Sequence, residues 1–134
     1  MITDTHIMSY ETYDELRTYM HGSAMVVGEM MCYVVGTQNI EAALPAAHAL
    51  GEAMQLTNFL RDVREDWVDL QRIYMPNDDL GVYGLSDRHI KEFCQLGHGN
   101  ENREAYCAYQ IQRCDKLYQK AYNGIHHLPR SARM

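Results

Sequence analysis

The chain of 134 residues has few Pro, Phe and Trp residues, with three, two and one of them respectively. It has no apolar run near the roughly 20 residues that a membrane-spanning helix requires. Basic residues are also in the minority, with 12 Lys and Arg against 18 Asp and Glu, so the net charge is −6 with neutral histidines. Proteins that bind nucleic acid usually carry a basic patch, so this class of partner is not expected. An anionic substrate would instead need a local cation, supplied by arginine or by a metal ion.

The cysteines and histidines also lack the spacings that are typical of metal sites and disulfide frameworks. The four cysteines contain no C-x-x-C pair, and the seven histidines show no H-x-x-x-H spacing. A disulfide framework and a zinc site are therefore not expected, and reduced thiols in a cytoplasmic protein are the simplest interpretation. Hydrophobic residues make up 46% of the chain, which is sufficient for one compact domain.

The spacing of apolar residues predicts an all-α protein of four helices. The four helices are predicted from about Tyr13 to Val35, from Ala42 to Trp67, from Asp87 to Leu96, and from Glu101 to Tyr122. Gly36 ends the first helix, Pro45 lies in the first turn of the second, Ser86 caps the third, and Asn123-Gly124 closes the fourth. Residues 68–86 are rich in turn formers and are predicted to be a loop.

The second predicted helix carries an unusual line of short polar side chains. At 3.6 residues per turn, Gln55, Asn58, Asp62 and Asp66 fall within an arc of about 80°. Two aspartates at i,i+4 repel each other on a solvated helix. A divalent cation reverses that sign, because Mg²⁺ prefers oxygen ligands and commonly bridges one or two carboxylates to substrate phosphates. This line of residues therefore predicts a binding site for Mg²⁺, which in turn binds a diphosphate, and Mn²⁺ is the alternative cation.

Arginines near this line suit the same chemistry. Departure of diphosphate from carbon requires neutralisation of the leaving group, which Arg61 and Arg72 are placed to assist. Arg61 also stands four residues before Glu65, where the two side chains can pair on a helix.

Two stretches of sequence carry a family resemblance. QLTNFLRDVREDWVDLQRIYMPNDDLGVYGLS, residues 55–86, resembles the second aspartate-rich motif of the squalene/phytoene synthase family. YMHGSAMVVGEMM, residues 19–31, resembles the upstream signature of that family, in which a tyrosine precedes small residues. The resemblance implies an isoprenoid-synthase-type helical bundle.

The roles that this resemblance implies can be assigned residue by residue. Asp62 and Asp66 match the Mg²⁺ ligands of the motif. The other matched residues comprise the candidate catalytic residues Tyr19, Arg61, Arg72 and Tyr74, the polar substrate-binding residues Gln55 and Asn58, and the wall of the prenyl-chain channel at Ala24, Val27 and Gly28. On the residues alone, Tyr19 and Tyr74 fit a buried structural tyrosine as well as a catalytic one.

The resemblance also implies a reaction, the head-to-head joining of two geranylgeranyl diphosphates to phytoene in carotenoid biosynthesis. Two alternatives share these motifs or this fold: squalene or dehydrosqualene synthesis from farnesyl diphosphate, and a non-catalytic scaffold. Family members have an earlier D-x-x-x-D helix and further terminal helices, so residues 1–134 are expected to form one partial domain that is inactive alone. A homodimer or a complementing chain, and loose contact with a membrane surface, are the expected partners.

Overall fold

The computed structural model describes residues 8–133, and within them the chain is helical apart from one pair of two-residue strands. The α-helices are α1 (Tyr13–Met20), α2 (Val26–Val34), α3 (Ile40–Arg61), α4 (Val63–Leu70), α5 (Asn77–Val82), α6 (Asp87–Leu96) and α7 (Arg103–Asn123). The strands are β1 (Met8–Ser9) and β2 (Arg72–Ile73). A π-helical segment occupies His21–Met25, and short 3₁₀ turns occupy Ile125–His127 and Arg130–Ala132.

The first predicted helix is present, with one wide turn in its middle. In this π-helical turn the Val26 amide donates to the His21 carbonyl five residues earlier. The Ser23 hydroxyl donates to the Tyr19 carbonyl at 3.2 Å, which satisfies an acceptor where the helix widens. Gly36 follows at φ +74°, a left-handed conformation that favours glycine, so the predicted end of the helix is confirmed.

The second predicted helix is divided at Asp62, whose backbone lies at φ −100° and ψ 13°. The Asp62 amide still donates to Asn58 at 2.9 Å, and the Asp66 amide donates to Asp62 at 2.8 Å. The helix therefore bends at Asp62 without losing these two bonds.

The position predicted for Pro45 is wrong. The helix begins at Ile40, where the Asn39 side chain accepts the Ala42 amide at 3.1 Å, and Pro45 lies inside α3. Because proline has no N–H, the Glu41 carbonyl lacks its usual helical donor.

The prediction of a loop over residues 68–86 is wrong in part. Helix α4 continues to Leu70, β2 follows at once, and α5 begins at Asn77. Strand β2 pairs in parallel with β1, with Met8 opposite Arg72 and Ser9 opposite Ile73. Strands of two residues carry no periodic pattern, so this long-range pairing leaves no local signal in the sequence.

The third and fourth predicted helices are confirmed as α6 and α7. Ser86 caps α6 as predicted, and its amide donates to the His89 ring at 3.0 Å. Helix α7 ends at Asn123, so the predicted closure at Asn123-Gly124 is confirmed, although Gly124 has φ −93° and not the left-handed conformation of a glycine C-cap. A Cβ there would clash with Ala46, so glycine is needed for close approach to α3.

The described chain divides into two compact units, each with its own buried residues. The first unit comprises residues 8–16 and Asn58–Gln110, and the second comprises Arg17–Thr57 and residues 111–133. Buried residues of the first unit include Leu16, Phe59, Met75, Leu80, Ile90 and Tyr106. Those of the second include Met20, Met25, Ala49, Ala53, Leu56 and Cys114. The assignment of residues 1–134 to one domain stays a prediction.

The predictions about the cysteines and about a membrane-spanning helix can be compared with the structure of residues 8–133. All four cysteines are free, with Cys107 exposed and the other three buried. Burial raises the pKa of the Cys114 thiol and keeps it protonated. No helix in residues 8–133 has the length and apolar character needed to cross a membrane.

Candidate functional site

Asp62 stands at the bend between α3 and α4, and its carboxylate is held by the adjacent arginine. Arg61 Nε donates to Asp62 Oδ1 at 2.6 Å, and Nη2 donates to Oδ2 at 2.7 Å. These hydrogen bonds hold the pKa of Asp62 below its ordinary value, although loss of solvent opposes them. The expected pairing of Arg61 with Glu65 is thus replaced by a two-pronged contact with Asp62.

Asp66 lies in the first turn of α4, half-buried, and its environment is the opposite of that of Asp62. Burial raises the pKa of Asp66, and the negative charges of Asp62 and Glu65 raise it further, while Arg72 opposes them. The carboxylate of Asp66 is therefore a group whose negative charge is incompletely balanced by its surroundings. A cation placed beside it would relieve that repulsion.

Arg72 and Tyr74 follow on β2 and the residue after it. Tyr74 is 7% exposed, and its ring stacks on Phe59 with centroids 4.0 Å apart and planes 5° from parallel. Arg72 Nη1 donates to the Tyr74 hydroxyl at 3.2 Å. The buried ring thus places a hydroxyl where it contacts the same arginine that offsets the charge near Asp66.

The donors of the first unit fit a hard divalent cation that is completed by phosphate oxygens. Asp62 and Asp66 lie one helical turn apart and supply carboxylate oxygens, which are ligands that Mg²⁺ and Mn²⁺ prefer. No group of three or more His, Cys, Asp or Glu side chains in residues 8–133 forms a closed metal site. Two carboxylates suit a cation that shares its coordination with a diphosphate and with water.

The second unit contains the other predicted site residues, which are Tyr19, Ala24, Val27, Gly28 and Gln55. Gly28 lies at a crossing of α2 with α3, where an added Cβ would stand 2.6 Å from the Ala47 carbonyl oxygen. Gly51 makes the matching approach to the Ala24 carbonyl, also at 2.6 Å. The small size of Gly28 therefore serves the close packing of two helices, a use that small residues permit as readily as close approach of a ligand.

An exposed apolar surface of the second unit includes Val27, which is 54% exposed. Along α2 the exposed residues recur at helical spacing, as Val27, Met30, Met31 and Val34, and α3 adds exposed Leu50 and Met54. Sequence reasoning named only Val27 from this set. The i, i+3, i+4, i+7 spacing was the signal that could have found the rest.

A separate cavity of about 420 Å³ lies in the second unit. Its lining includes Arg17, Pro45, His48, Glu52 and Lys120, and none of the predicted site residues. Buried Glu52 accepts from Arg17 Nε at 3.1 Å, so these two charges of the cavity form a pair.

The sequence matches characterised proteins along its whole length. A model of the squalene/phytoene synthase family matches residues 1–134. The chain is 37% identical over 128 residues to the phytoene synthase of Arthrospira platensis, covering 87% of this chain and 40% of that relative. It is 35% identical over 138 residues to chloroplastic phytoene synthase 1 of Solanum lycopersicum, covering 99% of this chain and 32% of that relative. The chain thus spans less than half the length of these curated relatives.

The fold is also similar to a solved structure. The squalene synthase HpnC from Alicyclobacillus acidocaldarius matches with a TM-score of 0.77 at 24% identity, covering 90% of this chain and 44% of that one. At this identity the match demonstrates the fold alone. The predicted all-α, isoprenoid-synthase-type fold is confirmed.

Proposed function

The chain belongs to the squalene/phytoene synthase family, and we propose from this membership that it carries one diphosphate-binding half of a prenyltransferase. The parent reaction proposed is the head-to-head condensation of two geranylgeranyl diphosphates to phytoene, a step of carotenoid biosynthesis. The observation that carries the proposal is the pair Asp62 and Asp66, one helical turn apart beside Arg61 and Arg72. The similarity to phytoene synthases at 37% and 35% identity supports the choice of product.

Asp62 and Asp66 would hold Mg²⁺, or Mn²⁺ in its place. When bound, this cation would neutralise charge on the departing diphosphate. Arg61 is accessible for a second role, since its side chain is 68% exposed. When a cation takes the Asp62 carboxylate, the freed guanidinium of Arg61 can donate to diphosphate oxygens, for which its planar fork is well suited.

Arg72 supplies a second positive charge, and its side chain donates a hydrogen bond to the Tyr74 hydroxyl. A guanidinium held in one rotamer loses less conformational entropy when it meets an anion. In this proposal Arg72 steadies the leaving diphosphate. Tyr74, the other candidate catalytic residue, accepts a hydrogen bond from Arg72 through its hydroxyl and so holds the guanidinium in place. Asn58 contributes a polar substrate contact from the last turns of α3.

The second unit has an exposed apolar surface of its own that suits a prenyl chain. Val27, Met31 and Met54 are large apolar side chains exposed to solvent, although burial of such groups is favourable by about 25 cal/mol per Å². A chain of repeated isoprene units would cover this surface. Ala24 and Gly28 keep the helices close behind it, Gln55 adds a polar contact, and Tyr19 is proposed to lie beside the cationic reaction centre.

The active assembly is proposed to need more than residues 1–134. These residues contain one D-x-x-x-D pair, whereas a reaction of two diphosphates needs two acidic sites. The second site would come from outside residues 1–134, and the proposed partners are a homodimer or a complementing chain, in the cytoplasm and in loose contact with a membrane surface. We expect the purified chain alone to give no phytoene, and turnover of geranylgeranyl diphosphate without a partner would contradict this part.

Squalene-type synthesis is the second candidate, because the family whose model matches residues 1–134 is named for both squalene and phytoene synthases. A product assay of the complemented enzyme with farnesyl and geranylgeranyl diphosphates separates the two reactions. A scaffold role is disfavoured because it has no use for the aspartate pair.

Binding of an unreactive geranylgeranyl thiodiphosphate tests the proposed site directly. Calorimetry should show binding that depends on Mg²⁺ and that weakens by about tenfold or more in Asp66→Asn. Asp69→Asn, an exposed carboxylate on the same helix, is the matched control and should bind as the unchanged chain does. Equal loss in both variants, or binding that ignores Mg²⁺, would refute the site.

A further inference from the structure

Residues 8–11 form an extended segment, here called the N-terminal strap, that runs along the chain carrying Arg72 and Tyr74. Its first two residues pair with β2, with Met8 opposite Arg72 and Ser9 opposite Ile73. The next two carbonyls accept backbone amides, from Asn77 to Tyr10 at 2.9 Å and from Asp78 to Glu11 at 2.9 Å. The strap therefore fixes the backbone on both sides of Tyr74.

Side chains continue this attachment from the strap to Arg72. The Tyr10 ring stacks on the Tyr74 ring, with centroids 6.2 Å apart and planes 20° from parallel. The Tyr74 ring also stacks on Phe59, and its hydroxyl accepts from Arg72 Nη1 at 3.2 Å. A second contact, from Asn77 Nδ2 to Glu11 Oε1 at 2.9 Å, ties the strap to the start of α5.

We propose that Tyr10 is a positioning residue for the diphosphate site, acting through Tyr74 on Arg72. The inference rests on the proposed function for the identity of the ligand. An arginine side chain has several rotatable bonds and loses conformational entropy when it is held to meet an anion. The strap fixes the Arg72 backbone by strand pairing, and the Tyr10–Tyr74–Phe59 stack fixes the hydroxyl that Arg72 contacts. Arg72 is thereby preorganised before any ligand arrives.

The location of the strap argues for this role. Its contacts with β2 and α5 are concentrated on residues 72–78, the stretch that presents Arg72 and Tyr74. A purely structural anchor would not require an aromatic ring aligned with a tyrosine that accepts a hydrogen bond from this arginine.

The first measurement needs no ligand. In the full chain, ¹⁵N relaxation of the Arg72 Nε–Hε group reports how firmly the guanidinium is held. We expect its order to fall in Tyr10→Ala and Tyr10→Leu, and to be kept in Tyr10→Phe, which retains the ring. Tyr83→Ala is the matched control, because Tyr83 packs on Tyr106 and Tyr109 in the same unit and is not in the stack.

The second measurement uses inorganic pyrophosphate with Mg²⁺. Tyr10→Leu, which keeps an apolar side chain in case Tyr10→Ala does not fold, should weaken pyrophosphate binding by about three- to tenfold. Tyr10→Phe should restore it, and Tyr83→Ala should leave it unchanged even if both Tyr10→Leu and Tyr83→Ala lower the melting temperature.

The two measurements separate the inference from the proposed function. If Arg72 stays equally ordered in Tyr10→Leu and Tyr10→Ala, the strap is only structural and the inference is wrong. If Tyr10→Phe loses order as the other two variants do, the ring is not the cause, and the inference is also wrong. If the unchanged chain does not bind pyrophosphate, the proposed function fails, while a loss of Arg72 order in Tyr10→Leu still supports the positioning role.

Discussion

The carboxylate site of the first unit and the helix crossing of the second unit use their predicted residues in different ways. In the first unit, Asp62 and Asp66 carry charge, and their side chains are at least partly open to solvent. In the second, the absence of a side chain at Gly28 leaves space that the Ala47 carbonyl occupies. The aspartates were assigned to a metal ion from their spacing and from the family resemblance, whereas Gly28 was assigned to the channel wall from the resemblance.

The difference teaches that a matched motif position does not by itself distinguish a ligand contact from a packing contact. A carboxylate can be replaced by an amide with little change of shape, so an Asp→Asn variant is expected to change ligand binding more than stability. A glycine at a backbone crossing cannot be enlarged without moving a helix, so its loss is read in stability.

The largest expected effect on stability belongs to the helix crossing. Gly28→Ala brings a methyl group to 2.6 Å from a backbone oxygen and should destabilise the fold by about 1–3 kcal/mol. Gly22→Ala is the control, because nothing lies within 4 Å of its added Cβ. Urea unfolding compares the two. Similar stability for both variants would show that the crossing is not as tight as described.

A smaller effect should follow removal of the arginine that holds Asp62. Arg61→Gln removes a guanidinium that competes with a cation for the carboxylate, so Mg²⁺ alone should bind about threefold more tightly. Binding of the prenyl thiodiphosphate should weaken, because a donor to its oxygens is lost. Arg64→Gln, also exposed and on α4, controls for the change of net charge. If both arginine variants behave alike, Arg61 has no special role.

The smallest effect concerns pH, and the two aspartates should show opposite signs. The folded-state pKa of Asp66 is raised, so its ionisation costs stability, which falls as pH rises through the window just above the ordinary value of about 4. The pKa of Asp62 is lowered, so its contribution is present above that ordinary value and is lost as pH falls. Thermal unfolding of Asp66→Asn and Asp62→Asn from pH 3 to 6 should therefore show opposite changes of slope.

For Asp66 the difference should be roughly a few tenths of a kcal/mol, since solvent screens a partly exposed carboxylate. Slopes of the same sign in both variants would contradict the assigned environments.

Much of the helical fold was predictable, because α6 and α7 have apolar spacing and local caps such as Ser86. The bend at Asp62 was not predictable. Residues at i and i+1 do not face each other on a regular helix, so the sequence gives no sign that Arg61 contacts Asp62. The Arg61–Asp62 contact accompanies a backbone that leaves that geometry.

The candidate site was predictable to the level of residue type and less so in its contacts. The aspartates and arginines were found from charge and spacing. Tyr10 was missed because it reaches Tyr74 through a strand pairing between distant residues, which no local pattern indicates. Gly28 was assigned to a channel wall by the family resemblance, and its contact with the Ala47 carbonyl leaves no polar or bulky signal in the sequence.

Binding of a divalent cation by the aspartate pair is the central claim, and paramagnetic Mn²⁺ tests it most directly. Added to the ¹⁵N-labelled chain, Mn²⁺ should first broaden the amide signals of Asp62, Asp66 and their neighbours in sequence, and Mg²⁺ should reverse the broadening. Asp62→Asn should abolish the selectivity, whereas Asp69→Asn should keep it. Broadening that begins elsewhere in the chain, or that persists unchanged in Asp62→Asn, would contradict the account.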